Sequence, residues 1–270
     1  MIYKVYKKIG ETSLQALERL RSRERLEKEK LTFAGRLDPM AEGLILILAG
    51  KERFKKDKFN AMDKEYEFEL LLGIESDSAD QLGIISNYRP KTKIDLQNLH
   101  TVLQEFQGAH KWRYPCFSSK TYKGKALFKW SIEEGCPKER PEYRAEIYDL
   151  KLISVKKIKA VDLQERVFKN LRLLGRSSIS ESYNDFRKAE VKKSWERFFK
   201  ELGMEQEFVL LRLSAKVSKS LYIRSLAERL GRKLGTRGIA LSIKRKSFGK
   251  VYKINFFGKK WHFYKKHYTI

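Results

Sequence analysis

Cysteine is scarce in this sequence: Cys116 and Cys136 are the two it holds in 270 residues. Two cysteines build no disulfide framework, and their spacing matches no zinc-binding pattern. Histidine is nearly as thin, and His100, His110, His262 and His267 are scattered rather than clustered. No structural metal is expected, and the cysteine usage points to a reducing, cytoplasmic compartment. Long apolar runs are missing as well. The longest, Leu44 to Ala49, falls far short of the ~20 residues a spanning helix needs. Met1-Ile2-Tyr3-Lys4 opens no signal peptide, because no apolar segment follows it.

Acid is the third shortage. Lys and Arg number 59 against 34 Asp and Glu, a formal net charge of +25. Such a surface draws polyanions, either nucleic acid or an anionic membrane surface. A membrane-surface role needs an amphipathic basic helix with a bulky apolar face, and none is visible. That leaves nucleic acid as the favoured partner, and no obligate protein partner is evident.

Apolar residues still make up 41% of the chain, enough to fill a core. Thr12-Ser13-Leu14-Gln15 has the form of a capping box, and Leu14, Leu17 and Leu20 follow at helical spacing. Leu44-Ile45-Leu46-Ile47-Leu48, bounded by Gly43 and Gly50, reads as a buried strand. Tyr66 to Leu70 alternates as a strand that Gly73 breaks. Asp95 caps a helical stripe of Leu96, Leu99, Val102, Leu103 and Phe106, and residues 109–128 read as irregular and aromatic. Val209, Leu211, Leu213, Ala215 and Val217 mark a long strand. A helix follows, capped by Ser220, lined by Ile223, Leu226, Ala227, Leu230 and Leu234, and stopped by Gly235. The elements do not alternate regularly, which predicts an α+β fold rather than a doubly wound sheet. One domain over 1–270 is expected, carrying a charged helical insertion at 163–203 and a basic-aromatic tail at 250–270. The insertion has Trp195, Phe198, Phe199 and Leu202 at helical spacing.

The stretch AGRLDPMAEGL, Ala34 to Leu44, joins the first charged helix to the apolar strand. A lone Asp before Pro is ordinarily a turn residue, and Pro39 disfavours helical geometry at Asp38, which puts the acid on a loop. The stretch as a whole resembles the G-x-L-D-P-x-A-x-G-L signature of the TruB pseudouridine synthases. Gly35, Leu37, Asp38, Pro39, Ala41, Gly43 and Leu44 all match. Three further stretches resemble family motifs in the same order. They are Lys64-Glu65-Tyr66 with the turn Ser76 to Gly83, the segment Tyr114 to Phe128, and Leu221-Tyr222-Ile223-Arg224-Ser225-Leu226.

The resemblance implies a pseudouridine synthase fold: a central mixed, mainly antiparallel sheet flanked by helices. It also implies an isomerase that needs no cofactor and converts a uridine of RNA, uridine 55 in the tRNA T-arm, by base flipping and reattachment through C5. Asp38 would act at the ribose as nucleophile or as base. Arg224 would orient its carboxylate and favour the charged form; taken from the residues alone, Arg224 fits a surface pair with Glu228 instead. Tyr66 would stack on the base and handle the C5 proton. Tyr222 and Ile243 would line the base pocket, or simply pack in the core. Lys64 and Lys120 are further substrate-binding candidates, Lys120 lying one place before the family lysine.

Several features depart from the family pattern. Phe33 stands where the family has a histidine that stacks on the RNA; it can stack but not hydrogen-bond. Ser76 and Ser78 replace two threonines. Relatives continue into a C-terminal RNA-binding module, whereas this chain stops about 20 residues past Gly249. The expectation is a short form in which the insertion and tail take over part of that role. The tail suits phosphate contact with base stacking; it equally fits an edge strand with a solvated basic face. Lys51 to Lys58 and Lys244 to Lys250 read as an electrostatic track. The alternative to an enzyme is a catalytically impaired RNA-binding or tRNA-folding protein of the same fold.

Overall fold

The computed structural model describes residues 1–90, 93, 95–174, 186–256 and 259–270. In chain order the elements are β1 (Ile2–Lys7), α1 (Ser13–Arg23), β2 (Leu31–Ala34), β3 (Ala41–Ala49), α2 (Lys56–Asn60), β4 (Asp63–Leu72), β5 (Ile74–Ser76), β6 (Ile85–Tyr88), α3 (Leu96–Glu105) and β7 (Gly108–Arg113). They continue with β8 (Thr121–Tyr122), β9 (Lys125–Ala126), α4 (Leu127–Glu133), β10 (Glu142–Lys159), α5 (Ala160–Leu173), α6 (Lys188–Leu202), β11 (Glu207–Val217), α7 (Ile223–Lys233), β12 (Gly238–Phe256) and β13 (Lys259–Thr269).

Among the described residues nine strands form one sheet in the order β1-β3-β12-β4-β11-β10-β7, with β2 added on β3 and β13 on β12. Every pairing in it is antiparallel except β3 with β12, where Ala41, Glu42 and Gly43 lie beside Ile243, Lys244 and Arg245. This is the mixed, mainly antiparallel α+β architecture expected from the sequence. Gly43 is what allows the parallel contact. Its φ is +115°, and a Cβ there would stand 2.3 Å from the Arg245 carbonyl oxygen.

The core lies on both faces of the sheet, and strand alternation sorts it. Ile45, Ile47, Tyr66, Phe68, Leu70, Leu211 and Leu213 face one way, onto Leu17 and Leu20 of α1, Leu99 and Val102 of α3, and Leu226 and Leu230 of α7. On the opposite face, Leu44, Leu46 and Leu48 meet Phe59 and Phe248 at one end. Leu71, Phe208, Leu210 and Leu241 meet α5 and α6 at the other. A strand buried on both faces has no reason to alternate, hence the unbroken run in β3. Each such Leu or Ile contributes roughly 1.5–3 kcal/mol when fully buried.

Thr12 caps α1 in a complete capping box with Gln15, and Asp95 caps α3 through the backbone N–H groups of Gln97 and Asn98. Leu14 points to solvent, because the buried stripe of α1 is Ser13, Ala16, Leu17 and Leu20. Ser220 does not cap α7. The cap is Tyr222, while Ser220 holds a left-handed turn at φ +71° two residues earlier. The stretch 109–128 is less irregular than expected, since β7 pairs along β10 and the β8–β9 hairpin follows. The side chain of Leu96 and residues 175–185 of the predicted insertion lie outside the described residues.

Two helices do occupy the predicted insertion. Their apolar stripe of Trp195, Phe198 and Phe199 is wholly buried and forms part of the core. The scarcity of cysteine misled. Cys116 and Cys136 are joined in a disulfide, with Cα atoms 5.4 Å apart across 20 residues. A single bridge needs only two cysteines brought within reach, and the chain between β7 and β10 does this, so cysteine usage gives no support to the reducing compartment expected from the sequence. Among the described residues no cluster of potential metal ligands occurs, and no helix is long and apolar enough to cross a membrane.

Candidate active site

Asp38 sits on the loop between β2 and β3, as its proline neighbour predicts, and the loop is tied down at almost every residue. The Gly35 N–H donates to Asn60 Oδ1 at 2.8 Å, and the Leu37 N–H to Ser13 Oγ at 3.1 Å. The Ala41 N–H closes a turn onto the Asp38 carbonyl at 3.0 Å. Leu37 and Met40 are buried on either side of the acid.

Two buried cations clamp the loop from below. Lys7 is 0% exposed and donates to the carbonyls of Lys8, Pro39 and Ala41 at 3.0, 3.1 and 2.5 Å. Burial pulls its pKa down to about 8, against the opposing pull of Asp38. Arg245, inside the predicted electrostatic track, is likewise buried. It donates to the carbonyls of Leu44, at 2.7 Å, and Gly35, with its guanidinium 4.6 Å from the Phe248 ring centroid. Gly35 has φ +72°, and a Cβ there would meet Phe248 at 2.6 Å, so the loop closes only with glycine. Arg245 also lies across the strand pair from Tyr66. Burial lowers its pKa, while Tyr66 and Asp38 act the other way.

Arg224 comes from the first turn of α7 and is 2% exposed. Its Nε donates to Asp38 Oδ2 at 2.7 Å, Nη1 to the Ser78 carbonyl at 2.8 Å and Nη2 to the Phe117 carbonyl at 2.9 Å. Asp80 Oδ2 stands 3.7 Å from the same Nε. Burial disfavours the charged guanidinium, but Asp38 and Asp80 outweigh it and raise the Arg224 pKa. Glu228, the surface partner the residues alone allowed, pairs with Arg232 instead, at 2.7 Å. The Asp38 side chain keeps 35% exposure, so one carboxylate is gripped from within and open from without.

Asp80 is held by its own turn. Ser78 Oγ donates to Asp80 Oδ1 at 2.5 Å, the Leu82 N–H to the same oxygen at 2.9 Å, and Ser76 Oγ to the Asp80 carbonyl at 2.7 Å. The two serines thus supply hydroxyls where the resembling motif has threonines. Burial raises the Asp80 pKa despite Arg224 beside it. Behind this turn stand α5 and α6. Asn170 donates to Gln81 Oε1 at 3.0 Å, Trp195 Nε1 to the Gln81 carbonyl at 3.0 Å, and Arg187 to Asp77 at 2.7 Å. The helical pair therefore buttresses the turn on which Arg224 rests.

An aromatic wall adjoins the pair. Tyr222 lies 6.0 Å from Tyr114 and 6.3 Å from Tyr143, ring to ring. Its pKa is pushed up to about 12 by burial, with the Asp38 charge adding to the effect. Lys120 is exposed and stands 5.4 Å from the Tyr114 ring, at the rim. Phe33, on β2, carries two cations, Arg36 and Lys56, each 5.7 Å from its ring centroid. Tyr66 and Ile243 are buried on adjacent strands.

Lys64 is placed otherwise than a substrate contact requires. It is buried, and its ammonium donates to the carbonyls of Asn60 and Met62 at 2.8 and 2.6 Å, 5.5 Å from the Phe248 ring. Burial lowers its pKa to about 7. The sequence analysis assigned no role to Lys7, Asp80 or Tyr143, and it put Arg245 on an exposed electrostatic track where the structure buries it beneath the loop. Asp80 lay within a quoted motif, whereas nothing in the local pattern distinguishes Lys7 from Lys8 or Arg245 from its basic neighbours. A cavity of about 480 Å³ lined by Arg113, Tyr122 and Arg140 contains none of these site residues.

Comparisons with known proteins bear on the fold and the family. A solved complex of Cbf5, Nop10 and Gar1 shares the fold at TM-score 0.53 and 16% identity, over 92% of this chain and 48% of the other. A tRNA pseudouridine synthase B of Aquifex aeolicus is 33% identical over 146 residues, 54% of this chain and 49% of its own length. One of Chloroherpeton thalassium is 23% identical over 245 residues, 90% of this chain and 80% of its own. Over its best-matching segment the chain thus spans about half the length of the Aquifex relative. The profile of the TruB family pseudouridylate synthase, N-terminal domain, matches residues 23–170, so the chain belongs to the TruB family.

Proposed function

We propose that this protein is a pseudouridine synthase acting on tRNA, with uridine 55 of the T-arm as its target and Asp38 as the group that attacks the ribose. The observation that carries the proposal is the carboxylate of Asp38, fixed by a buried guanidinium and left one-third open beside an aromatic wall. The names of the relatives support tRNA as the RNA. A net charge of +25 supplies the long-range attraction.

The reaction is an isomerisation. The N1–C1′ bond breaks, the uracil turns, a C5–C1′ bond forms, the C5 proton leaves and N1 gains one. Asp38 either bonds to C1′ or takes the 2′ proton to give a glycal, and both routes need the carboxylate ionised and aimed. Arg224 supplies the aim through a charge-assisted bond. Tyr66 stacks on the flipped base, and its hydroxyl relays the C5 proton, releasing its own as it accepts. Tyr222 and Ile243 wall the base, Phe33 stacks on a neighbouring nucleotide, and Lys120 meets a phosphate at the rim. Lys7 and Arg245 hold the loop rather than the substrate. The cytoplasm is the compartment in which such a substrate is met.

A second reading, an RNA-binding protein with impaired catalysis, draws on Phe33 standing where the family has a histidine. One experiment separates the two. The protein is incubated with an unmodified tRNA transcript, and pseudouridine is mapped chemically. Product at one uridine is expected. Tight binding with no product under any condition would leave the second reading standing.

A further inference from the structure

The strands β12 and β13 form a hairpin whose two faces differ. On one face the charges are neutralised. Lys253 pairs with Glu146 at 2.7 Å, Lys266 with Glu65 at 2.8 Å, and Tyr264 bonds to Ser247 at 3.1 Å. His262 rests against the Tyr148 ring, 5.9 Å away, over a cavity of about 240 Å³.

Among the described residues the other face has no such partners. Lys250 stands directly across from Lys265, and Tyr252 directly across from Phe263. Phe263 is 61% exposed and Tyr252 41%. The Lys250 ammonium lies 5.4 Å from the Tyr252 ring. Among the described residues no carboxylate reaches either lysine. Like charges directly opposite each other destabilise a strand pair. Two large exposed aromatics are a liability on a surface without a ligand. Together they make up half of a contact whose other half is anionic and flat.

We propose that this outward face, Lys250, Tyr252, Phe263 and Lys265, is a second RNA-binding site that stacks bases of an unpaired stretch and neutralises its phosphates. Aromatic platforms flanked by cations bind single strands in this way, because every base has a π-face. Among the described residues the face offers two rings, whereas membrane insertion needs a whole apolar face. Tyr252 lies nine residues along β12 from Ile243, at most about 30 Å at strand rise given the register shifts between them. The site is therefore separate from the flipped nucleotide. Its pairing with a target uridine rests on the proposed function; the platform itself does not.

The test uses the full chain, a labelled single-stranded oligoadenylate that offers the active site no uracil, a blunt RNA duplex, and anionic phospholipid vesicles. Two double variants are compared with the parent, Tyr252→Ser with Phe263→Ser and Lys250→Glu with Lys265→Glu. All four side chains are exposed, and thermal melts check that the fold persists. Each double variant is expected to bind oligoadenylate about tenfold more weakly, or worse. Each is also expected to keep the parent's rate on a saturating unmodified T-arm hairpin. Unchanged oligoadenylate binding in both variants overturns the proposal, as does a loss confined to vesicles. If the parent binds oligoadenylate through these residues but forms no pseudouridine in any RNA, the platform stands and the enzymatic reading falls. If the parent forms pseudouridine but neither variant loses binding, the platform alone falls.

Discussion

Arg224 and Asp38, 186 residues apart in sequence, meet at 2.7 Å through Nε and Oδ2. The arginine is buried to the last few per cent, while the acid is open to solvent. Arg224 also faces a second carboxylate, Asp80, that is as buried as itself. The guanidinium therefore answers two acids, one structural and one exposed, and the two can be separated by mutation.

Removing the exposed acid should cost activity and spare the fold. In Asp38→Asn, Arg224 keeps Asp80 and its two carbonyl acceptors, so stability should change by less than about 1 kcal/mol. The rate of pseudouridine formation should fall roughly 10⁴-fold or more, with RNA affinity retained. Full residual activity, measured on a tRNA transcript, would remove Asp38 from its assigned role.

Removing the cation should do the reverse. Arg224→Met leaves Asp80 buried without a counter-charge, an arrangement that costs about 3–5 kcal/mol. Denaturant unfolding of the parent and Arg224→Met reads this directly. A loss under about 1 kcal/mol would show that Asp80 is held by its turn alone.

Lys64 makes stability depend on pH. Burial pulls its folded pKa from the ordinary lysine value of 10.5 down to about 7. Between about pH 7 and pH 10 the unfolded chain holds more protons at this position than the folded one, so stability rises with pH across that window. The unfolding free energy of the parent minus that of Lys64→Met should therefore become more positive from pH 7 to pH 9.5. A constant or falling difference would contradict the burial account.

The Cys116–Cys136 bridge closes a loop that includes Phe117, whose carbonyl accepts from Arg224. A bridge across about 20 residues contributes roughly 3 kcal/mol, equivalent to a fall in Tm of about 6–12 °C on its removal. Calorimetry of the double Cys→Ser variant checks this, and dithiothreitol should lower the parent's Tm by a similar amount. No response to the reductant would mean the thiols are not bridged in solution.

Phe33 offers a ring without a hydrogen bond. Phe33→Ala should raise KM for tRNA about tenfold, since a base stack contributes about 1–3 kcal/mol, while kcat stays near the parent value. Steady-state kinetics separates the two constants, and a fall in kcat with unchanged KM would place Phe33 in the chemistry instead.

What was legible in the sequence was local or carried by a motif. The capping box at Thr12, the two-faced strand at Leu44 to Leu48 and the alternation at Tyr66 each follow from a few neighbouring residues. The meeting of Asp38 with Arg224 came through the motif resemblance, because no local rule joins residues so distant. What escaped depended on tertiary context. Arg245 and Lys64 look like surface cations until the sheet closes over them, and only then do carbonyl groups become their partners. Ser220 has the side chain of a cap, but its backbone turns left-handed and the helix starts later. The two cysteines needed the path of the chain between β7 and β10 before they could be read as a pair.

The continuity of β12 has one more consequence. A single strand carries both Arg245, beneath the Asp38 loop, and Tyr252 on the outer hairpin, with irregularities of register between Arg245 and Ser247 and between Phe248 and Gly249. If the two proposed sites hold one RNA, this strand sets the span between them. An RNA lengthened between its two points of contact would satisfy one of them and miss the other.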